Sequence, residues 1–385
     1  MRWGIDSLYL SYPGELDPGS EATLKRLKTL AQGPEHEAAE AQLQLGAHIF
    51  EVKDKSSGLF AFTLVDDAFM IRLSASRSKT LPMAYVQVSS GLLAYRDPAS
   101  IETELRALLA ELGVVEAPKV SRVDLFVDFA STLDMEAWRR EAWVTRASAV
   151  SQYAEDTTFT GWTIGAGGSL MARLYNKLLE CKKRGKEYLL GLWREAGWNG
   201  IYPVWRLEFE FRREVLAQLS LDSLNAVLDH RNGLWSYATT DWLKLCEPNP
   251  QDQTRSRWPI HPLWILVADI DWESPGGPLL RSYSPSRAPS REYLGSRALA
   301  LLASMGAVAD LPDFQEASVE LLHEASNALG RRFGLSGISL EQGFTELVAA
   351  NNRRFNVKLN DPSDPEAEPD SPDLQNPYYR AKQGL

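Results

Sequence analysis

The sequence predicts an α+β protein: a domain built on a mainly antiparallel sheet with flanking helices, followed by a smaller helical C-terminal region. In the first 215 residues, strand-like and helix-like segments are mixed without the regular spacing of parallel βαβ units. Three of the strand-like segments alternate charged and apolar residues along their length. Beyond residue 297 the pattern changes to amphipathic helices.

The elements follow from this patterning in chain order. We predict strands at 4–12, 49–54, 60–67, 69–76, 83–90 and 120–130. We predict helices at 20–45 and 100–113, the second with Ser100 as its N-cap. The chain continues with a helix near 134–149, the strand that carries Tyr175, a helix near 186–196, a strand at 204–213 and helical structure over 221–245.

Composition divides the chain into four parts. Residues 277–296 are rich in Ser, Pro, Arg and Gly, which is typical of a linker or long loop. After residue 360 the chain is too poor in apolar residues to fold. We therefore predict a sheet domain at 1–240, a Trp-, Pro- and Arg-rich connector at 241–296, a helical region at 297–358 and an acidic disordered tail at 359–385.

The overall composition is that of an ordinary globular protein. The 385 residues, 44% of them hydrophobic, suffice for two or three domains with a real core. Cys181 and Cys246 form no spacing motif, which suggests a reducing compartment or a protein indifferent to the redox state of its compartment. No apolar run reaches the roughly 20 residues of a membrane span, and the N-terminus reads as a strand rather than a signal peptide. We expect a cytoplasmic protein without membrane contact.

The net charge of −10 argues at first against a nucleic-acid partner. Its distribution weakens that argument, because residues 361–373 alone carry six carboxylates. Residues 181–187 and 281–297 are locally cationic. The net charge therefore does not decide the class of partner.

Three strands carry charged residues where a core strand should not. Side chains alternate faces with period two, so each strand has one apolar and one charged face. The charged faces hold Arg122, Asp124, Phe126 and Asp128 in "RVDLFVDF", Arg206, Glu208, Glu210 and Arg212 in "WRLEFEFRR", and Arg173, Tyr175 and Lys177 in "ARLYNK". The three strands can build one sheet whose far side is core and whose near side bears carboxylates, arginines and one tyrosine.

Clustered like charges on a sheet face are costly unless something compensates them. A divalent cation would do so; the alternative is a solvated face with cross-strand arginine–carboxylate pairs. The five histidines are scattered, and none lies on these strands. A cation site made of Asp124, Asp128, Glu208 and Glu210 would use oxygen ligands only, which suits Mg²⁺ or Mn²⁺.

Other chemistries lack support. The sequence has no local Ser-His-Asp or Cys-His arrangement and no G-x-x-x-x-G-K-[ST] motif. The "GAGGS" segment at 165–169 is a tight turn rather than a phosphate loop. We find no ATPase motor.

Three motifs in order, "RVDLFVDF", "GWTIGAGGSLMARLYNK" and "VWRLEFEFRR", resemble the replication initiation factor family. That family comprises rolling-circle replication initiators of plasmids and phages and related nicking relaxases. The resemblance covers about residues 1–215. It implies that Tyr175 is the nucleophile. It also implies that the family's acidic positions fall on Asp124, Asp128, Glu208 and Glu210, without settling which of them touch metal.

The resemblance implies a metal-dependent, site-specific endonuclease that nicks and later rejoins one strand of origin DNA. Tyr175 would attack a phosphodiester in a single-stranded or hairpin nick site, leaving a 5′-phosphotyrosine and a free 3′-hydroxyl. Mg²⁺ or Mn²⁺ would polarise the phosphate. Arg173 and Lys177 are expected to lower the pKa of the phenol and to hold flanking phosphates. Host helicase and polymerase are expected partners, and a homodimer is possible.

Cations outside this centre are the predicted DNA contacts. The predicted set is Lys182, Lys183, Arg184, Lys186, Arg122, Arg206, Arg255 and Arg257. For the four residues of 182–186 the alternative is a solvated helix face. The segment 255–297 is expected to bind DNA as well, through Arg281, Arg287, Arg291, Arg297 and the rings of Trp258, Trp264 and Tyr283. The alternative is that the two tryptophans pack against the sheet domain.

Three other functions stay open from the sequence. A relaxase that nicks the transfer origin of an integrative element would use identical chemistry. A DNA-binding protein with an inactive site belongs to another class. A metal nuclease that uses water as nucleophile would leave no covalent DNA adduct.

Overall fold

A computed structural model describes residues 1–56, 60–75, 81–147, 149–281, 291–333 and 339–355. The chain divides into two compact units, Met1–Ser282 and Tyr283–Leu385. The strands of the first unit are β1 (Arg2–Tyr12), β2 (Gly14–Leu16), β3 (Gln42–Leu45), β4 (His48–Val52), β5 (Phe62–Val65), β6 (Phe69–Leu73), β7 (Ala84–Val88), β8 (Gly113–Val115), β9 (Lys119–Ala130), β10 (Trp143–Thr145), β11 (Val150–Glu155), β12 (Thr158–Ile164), β13 (Leu170–Asn176), β14 (Val204–Arg212) and β15 (Leu243–Leu245).

The helices of the first unit lie between and after these strands. They are α1 (Pro18–Ala31), α2 (Glu35–Ala38), α3 (Ser90–Leu93), α4 (Pro98–Ala110), α5 (Lys177–Arg184), α6 (Tyr188–Glu195), α7 (Arg213–Gln218), α8 (Leu224–Asp229), α9 (Arg231–Ser236) and α10 (Pro262–Ala268). Short 3₁₀ turns occur at Arg140–Ala142 and Arg255–Arg257, and a π-helical turn at Tyr237–Trp242.

Eleven strands form one sheet in the order β11-β12-β13-β14-β9-β1-β7-β6-β5-β4-β3. Its neighbouring strands pair antiparallel. Two short two-stranded sheets, β10–β15 and β2–β8, accompany it. With helices in the same unit and in the second one, the predicted α+β class with a mainly antiparallel sheet is confirmed.

The three charged strands are neighbours, since β13 pairs with β14 and β14 with β9. Their apolar sides are core: Leu125 and Phe209 are fully buried. The opposite side is buried as well, because Asp124, Arg206 and Glu208 are at most 2% exposed. The carboxylates of the charged face are therefore buried, whereas the side chains of Arg173 and Arg212 are 35% and 46% exposed, and the face contains the cross-strand ion pairs that were expected of it.

Tryptophans from the chain after β14 cover the apolar side of the sheet. The rings of Trp235 and Trp264 lie 5.2 and 6.5 Å from that of Phe209. Trp272 belongs to the same buried cluster. The first compact unit consequently extends past the boundary predicted at residue 240, and the part of the predicted connector up to residue 281 lies within it.

Two predicted helices have different bounds in the structure. The helix predicted at 20–45 ends at Ala31, where a Gly-Pro pair follows; a short helix begins after Pro34 and the remainder is β3. The N-cap of α4 is Asp97, whose Oδ2 accepts the N–H of Ser100 at 2.9 Å. Ser100 therefore lies inside the helix rather than capping it.

The helix predicted near 134–149 is wrong. In its place stand the 3₁₀ turn Arg140–Ala142 and β10, whose Trp143 pairs with Leu245 of β15. The pairing is non-local, and the residues of β10 suit a strand because they are aromatic or β-branched. Strand β12, which lies between β11 and β13, was not among the predicted elements.

The second unit contains α11 (Arg291–Ala309), α12 (Phe314–Phe333) and α13 (Leu340–Phe355). The turn between α11 and α12 is closed by a hydrogen bond of 2.8 Å from the Leu311 N–H to the Gly306 carbonyl. These helices agree with the helical region predicted at 297–358. The acidic tail predicted at 359–385 lies outside the described residues.

A membrane-spanning helix must be both long and apolar. None of the described helices meets both requirements alone. The pair Leu294–Ala309 and Phe314–Phe333 meets them jointly, with a bend of 94° between its two parts.

Candidate active site

Tyr175 lies on β13, opposite Gly161 of β12 on one side and Arg206 of β14 on the other. The strand ends at Asn176, whose Oδ1 caps α5 by accepting the N–H of Leu179 at 3.1 Å. Lys177 is thus the first residue of a helix, not a strand residue as predicted. Its side chain nevertheless turns back to the tyrosine.

The Tyr175 hydroxyl is held between a carboxylate and an ammonium group. It donates a hydrogen bond of 3.0 Å to Glu208 Oε2 and accepts one of 3.0 Å from Lys177 Nζ. Lys177 is 1% exposed and also lies 2.5 Å from Glu180 Oε2. The hydroxyl therefore has a proton acceptor on one side and a cation on the other.

The environment raises the pKa of Tyr175 well above its usual value of 10. Burial is the main cause, and the negative charge of Glu208 adds to it, while Arg206 acts in the opposite direction. The net shift is therefore opposite to the lowering that was expected from Arg173 and Lys177. Burial also lowers the pKa of Lys177. A reaction of this phenol at neutral pH therefore needs a base, and Glu208 is already hydrogen-bonded to its proton.

Three carboxylates surround the guanidinium of Arg173. Its Nη2 hydrogen-bonds Glu208 Oε1 and lies 3.7 Å from both Asp124 Oδ2 and Glu210 Oε2. Arg122 closes the group from the other side, with Nε 2.8 Å from Asp124 Oδ1 and Nη2 2.8 Å from Glu210 Oε2. We call Asp124, Glu208 and Glu210 the carboxylate trio.

Three arginines pair with the three carboxylates of the trio, since Arg212 Nε also lies 2.6 Å from Glu210 Oε1. Burial raises the pKa of Asp124 to about 7; hydrogen bonding to Arg122 opposes this, while Glu208 and Glu210 add to it. The trio offers oxygen ligands only, the kind that hard divalent cations prefer, but each of its six oxygens is engaged by an arginine or by Tyr175. In the described residues, metal-like spacing within 4.8 Å is met only by Glu320, His323 and Glu324 of α12. The trio is spread around Arg173 instead.

Asp128 does not belong to the trio. It is four residues from Asp124 on the same strand, about 13 Å at the usual rise of a β-strand. Its Oδ1 and Oδ2 accept hydrogen bonds of 2.6 and 2.8 Å from Arg206, and Oδ2 accepts another of 2.8 Å from Trp193. Asp128 is thus held by Arg206 and Trp193 apart from the trio, so a single metal site that includes all four predicted carboxylates does not fit this geometry.

Arg206 is fully buried and cannot reach DNA, contrary to its predicted role. Besides Asp128 it hydrogen-bonds Asp6, and its guanidinium carbon lies 3.7 Å from the centre of the Phe126 ring. Asp6 was missed by the sequence reasoning. It stands at a register shift between Ile5 and Ser7 of β1, and the sequence signal was the break in apolar alternation there.

A cavity of about 610 Å³ opens over Tyr175. Six cationic side chains line it against three anionic ones, so its balance is positive although the protein is acidic. The cationic ones are Arg122, Arg173, Lys177, Lys183, Arg184 and Lys186; the anionic ones are Asp6, Glu155 and Glu180. Of the predicted DNA contacts on α5, Lys182 is exposed but is not among the lining residues.

The other predicted DNA contacts lie away from the cavity. Arg255 donates hydrogen bonds to the carbonyls of Glu141 and Trp143 at 2.6 and 2.7 Å. The Trp143 ring packs at 5.9 Å against Trp264, on the apolar side of the sheet. Arg257 is exposed on the same 3₁₀ turn. The structure thus does not bring these two arginines to the face that carries Tyr175.

The segment 255–297 was predicted to bind DNA through arginines and aromatic rings, and the structure places two of these side chains in contacts within the first unit. Trp264 is 3% exposed, so it offers no stacking surface, as the packing alternative foresaw. Arg281 donates a hydrogen bond of 2.7 Å to Gln218 within the first unit. Tyr283 and Arg287 lie outside the described residues.

The likeness of this chain to known proteins is weak. No protein-family model matches the chain, and no curated protein matches it. Among solved structures, the rolling circle replication initiator protein from Geobacillus stearothermophilus matches with a TM-score of 0.40 and 11% identity. The match covers 69% of this chain and 95% of that one. At this level the likeness assigns neither family nor function, so the side chains of the site have to carry the functional argument.

Proposed function

We propose that this protein nicks one strand of DNA by attack of Tyr175 on a phosphodiester and later rejoins it, as a rolling-circle replication initiator does. One observation carries the proposal: the Tyr175 hydroxyl is held 3.0 Å from both Glu208 and Lys177, in a cavity lined by more cations than anions. A nucleophile with an adjacent base and a phosphate-attracting surround is what transesterification needs.

The side chains divide the reaction between them. The Tyr175 oxygen bonds to phosphorus while its proton passes to Glu208. The bond from phosphorus to the 3′ oxygen breaks, and that oxygen leaves with the electron pair and is protonated by solvent. Lys177 lies next to the oxygen that changes from phenol to phosphate ester, so it stabilises negative charge there. The products are a 5′-phosphotyrosine and a free 3′-hydroxyl.

The carboxylate trio would hold Mg²⁺ or Mn²⁺, with Asp128 left out of the set. When bound, such an ion polarises the scissile phosphate and offsets charge that develops on it. Arg173 now lies among these three carboxylates, 3.7 Å from two of them. Its 35% exposed side chain borders the cavity, so it is placed to release the carboxylates and hold a DNA phosphate instead.

The free 3′-hydroxyl would prime replication by host enzymes. A relaxase at a transfer origin would use the same side chains in the same way. A hydrolytic nuclease with the same carboxylates differs in one respect, because it makes no bond between protein and DNA.

The test is a nicking reaction on supercoiled DNA that includes the sequence flanking this protein's own gene, with Mn²⁺ or Mg²⁺, resolved on a denaturing gel. We expect relaxed circles and a protein–DNA adduct with the native chain, and neither with Tyr175→Phe. Tyr202→Phe is the matched control, since Tyr202 is 47% exposed and outside the cavity lining. Nicking without an adduct would favour the hydrolytic nuclease, and nicking in excess EDTA would contradict the metal.

A further inference from the structure

Three residues form a row across the end of the sheet on the face that carries Tyr175. Tyr153 of β11 pairs with Gly161 of β12, and Gly161 pairs with Tyr175 of β13. Directly paired residues of antiparallel strands project to the same face. The two tyrosines therefore flank a position that has no side chain.

The glycine is required there by the close approach of the two strands. Gly161 has φ +154°, and a Cβ on it would lie 2.2 Å from the Leu174 carbonyl oxygen and 2.9 Å from the Tyr175 Cβ. Two strand spacings separate Tyr153 from Tyr175, about 10 Å between their Cα atoms. The sheet thus leaves a slot, floored by Gly161 and walled by the two tyrosines.

Tyr153 is available to a ligand. Tyr153 is 50% exposed, and within the described part of the chain its side chain has neither a hydrogen bond nor an aromatic neighbour. Tyr153 lines the same cavity as Tyr175. It stands on β11, which is an edge strand of the sheet. The ion pair between Lys183 and Glu155 lies beside it.

We propose that Tyr153 is a stacking platform for one unpaired nucleobase of single-stranded DNA next to the phosphate at Tyr175. An exposed aromatic ring beside cations is the arrangement that binds unpaired bases without reading their sequence. This inference rests on the proposed function, since it places the base in relation to the phosphate that Tyr175 attacks. It predicts that a base, and not only a phosphate, is recognised at the site.

The test compares binding of two labelled 15-nucleotide single strands, oligothymidylate and its fully abasic analogue, to the full-length protein in EDTA. The native chain binds oligothymidylate more tightly than the abasic strand. Tyr153→Ala loses roughly 5- to 150-fold in affinity for oligothymidylate, the range of one stacked base, and little for the abasic strand. Tyr153→Phe keeps the preference, because the ring rather than the hydroxyl stacks. Tyr202→Ala is the matched control.

Three results would overturn the platform: no preference for oligothymidylate in the native chain, an unchanged affinity in Tyr153→Ala, or an equal loss for both strands. The adduct assay separates this outcome from failure of the proposed function. If the native chain forms the Tyr175 adduct but binds both strands equally well, the proposed nicking activity stands and the stacking role of Tyr153 is rejected. If binding depends on the base and on Tyr153 but no adduct forms, the stacking role stands and the proposed nicking activity is rejected.

Discussion

Replacing Asp128 by Asn tests whether this carboxylate stabilises the fold, as its contacts indicate, or binds metal, as the sequence predicted. Three donors converge on it: Nε and Nη2 of Arg206 and Nε1 of Trp193, at 2.6 to 2.8 Å. The amide nitrogen of Asn cannot accept a hydrogen bond. In either orientation of the amide, at least one buried donor therefore loses its acceptor, and the charge opposite Arg206 is gone.

The expected loss of unfolding free energy follows from the burial of both partners of this ion pair. Arg206 is fully buried and Asp128 is 2% exposed. Removing one partner of such a pair costs about 3–5 kcal/mol of unfolding free energy. At about 2–4 °C per kcal/mol for a large domain, Tm should fall by roughly 6–20 °C.

The assay is thermal unfolding followed by circular dichroism, with Asp67→Asn as control. Asp67 is an exposed carboxylate between β5 and β6, and its replacement should change stability by no more than about 0.5 kcal/mol. The Mn²⁺ concentration for half-maximal nicking, measured below the lower Tm, should be the same in Asp128→Asn as in the native chain and much higher in Asp124→Asn. An unchanged Tm, or a raised Mn²⁺ requirement in Asp128→Asn, would contradict a purely structural role of Asp128.

Two further predictions concern a base and a pH dependence. Glu208→Gln should slow nicking by about 10²–10⁴-fold, the usual contribution of a general base, while anisotropy shows DNA affinity within a few-fold of native; native-rate nicking would remove Glu208 from the reaction. The carboxylates of Asp66 and Glu104, 2.6 and 3.2 Å from the His48 ring, raise its pKa above 6.5 against the effect of burial. The stabilisation from protonated His48 is therefore complete below about pH 6.5 and lost as pH rises through the higher folded pKa. The urea midpoint of the native chain relative to His48→Asn should decline over that interval, and a constant difference would contradict it.

The charged strands show which features of the site could be predicted from the sequence. Alternation in β9, β13 and β14 predicted one sheet with Tyr175 among arginines and carboxylates, because face assignment depends only on period two. Alternation does not reveal which residues pair across strands. The sequence therefore could not separate Asp128, held by Arg206, from Asp124, which faces Glu210.

Burial was the second thing the sequence did not reveal. Arg206 was predicted to bind a phosphate and Trp264 to stack on a base, because a charged strand face and a Pro- and Arg-rich segment are usually exposed. Long-range packing buries both. The slot at Gly161 did leave a signal, because a glycine inside a strand marks close approach of another backbone.

Mass spectrometry of the trapped protein–DNA adduct identifies the residue that is bonded to DNA. Trypsin cuts after Arg173 and Lys177, so the modified fragment is the tetrapeptide 174–177 with Tyr175 as its sole hydroxyl side chain. If Tyr175 is the nucleophile, this peptide carries the 5′-terminal nucleotide of the cleaved strand through a phosphodiester to tyrosine. A nucleotide on another peptide, such as that of Tyr153, or nicked DNA without any modified peptide would contradict it.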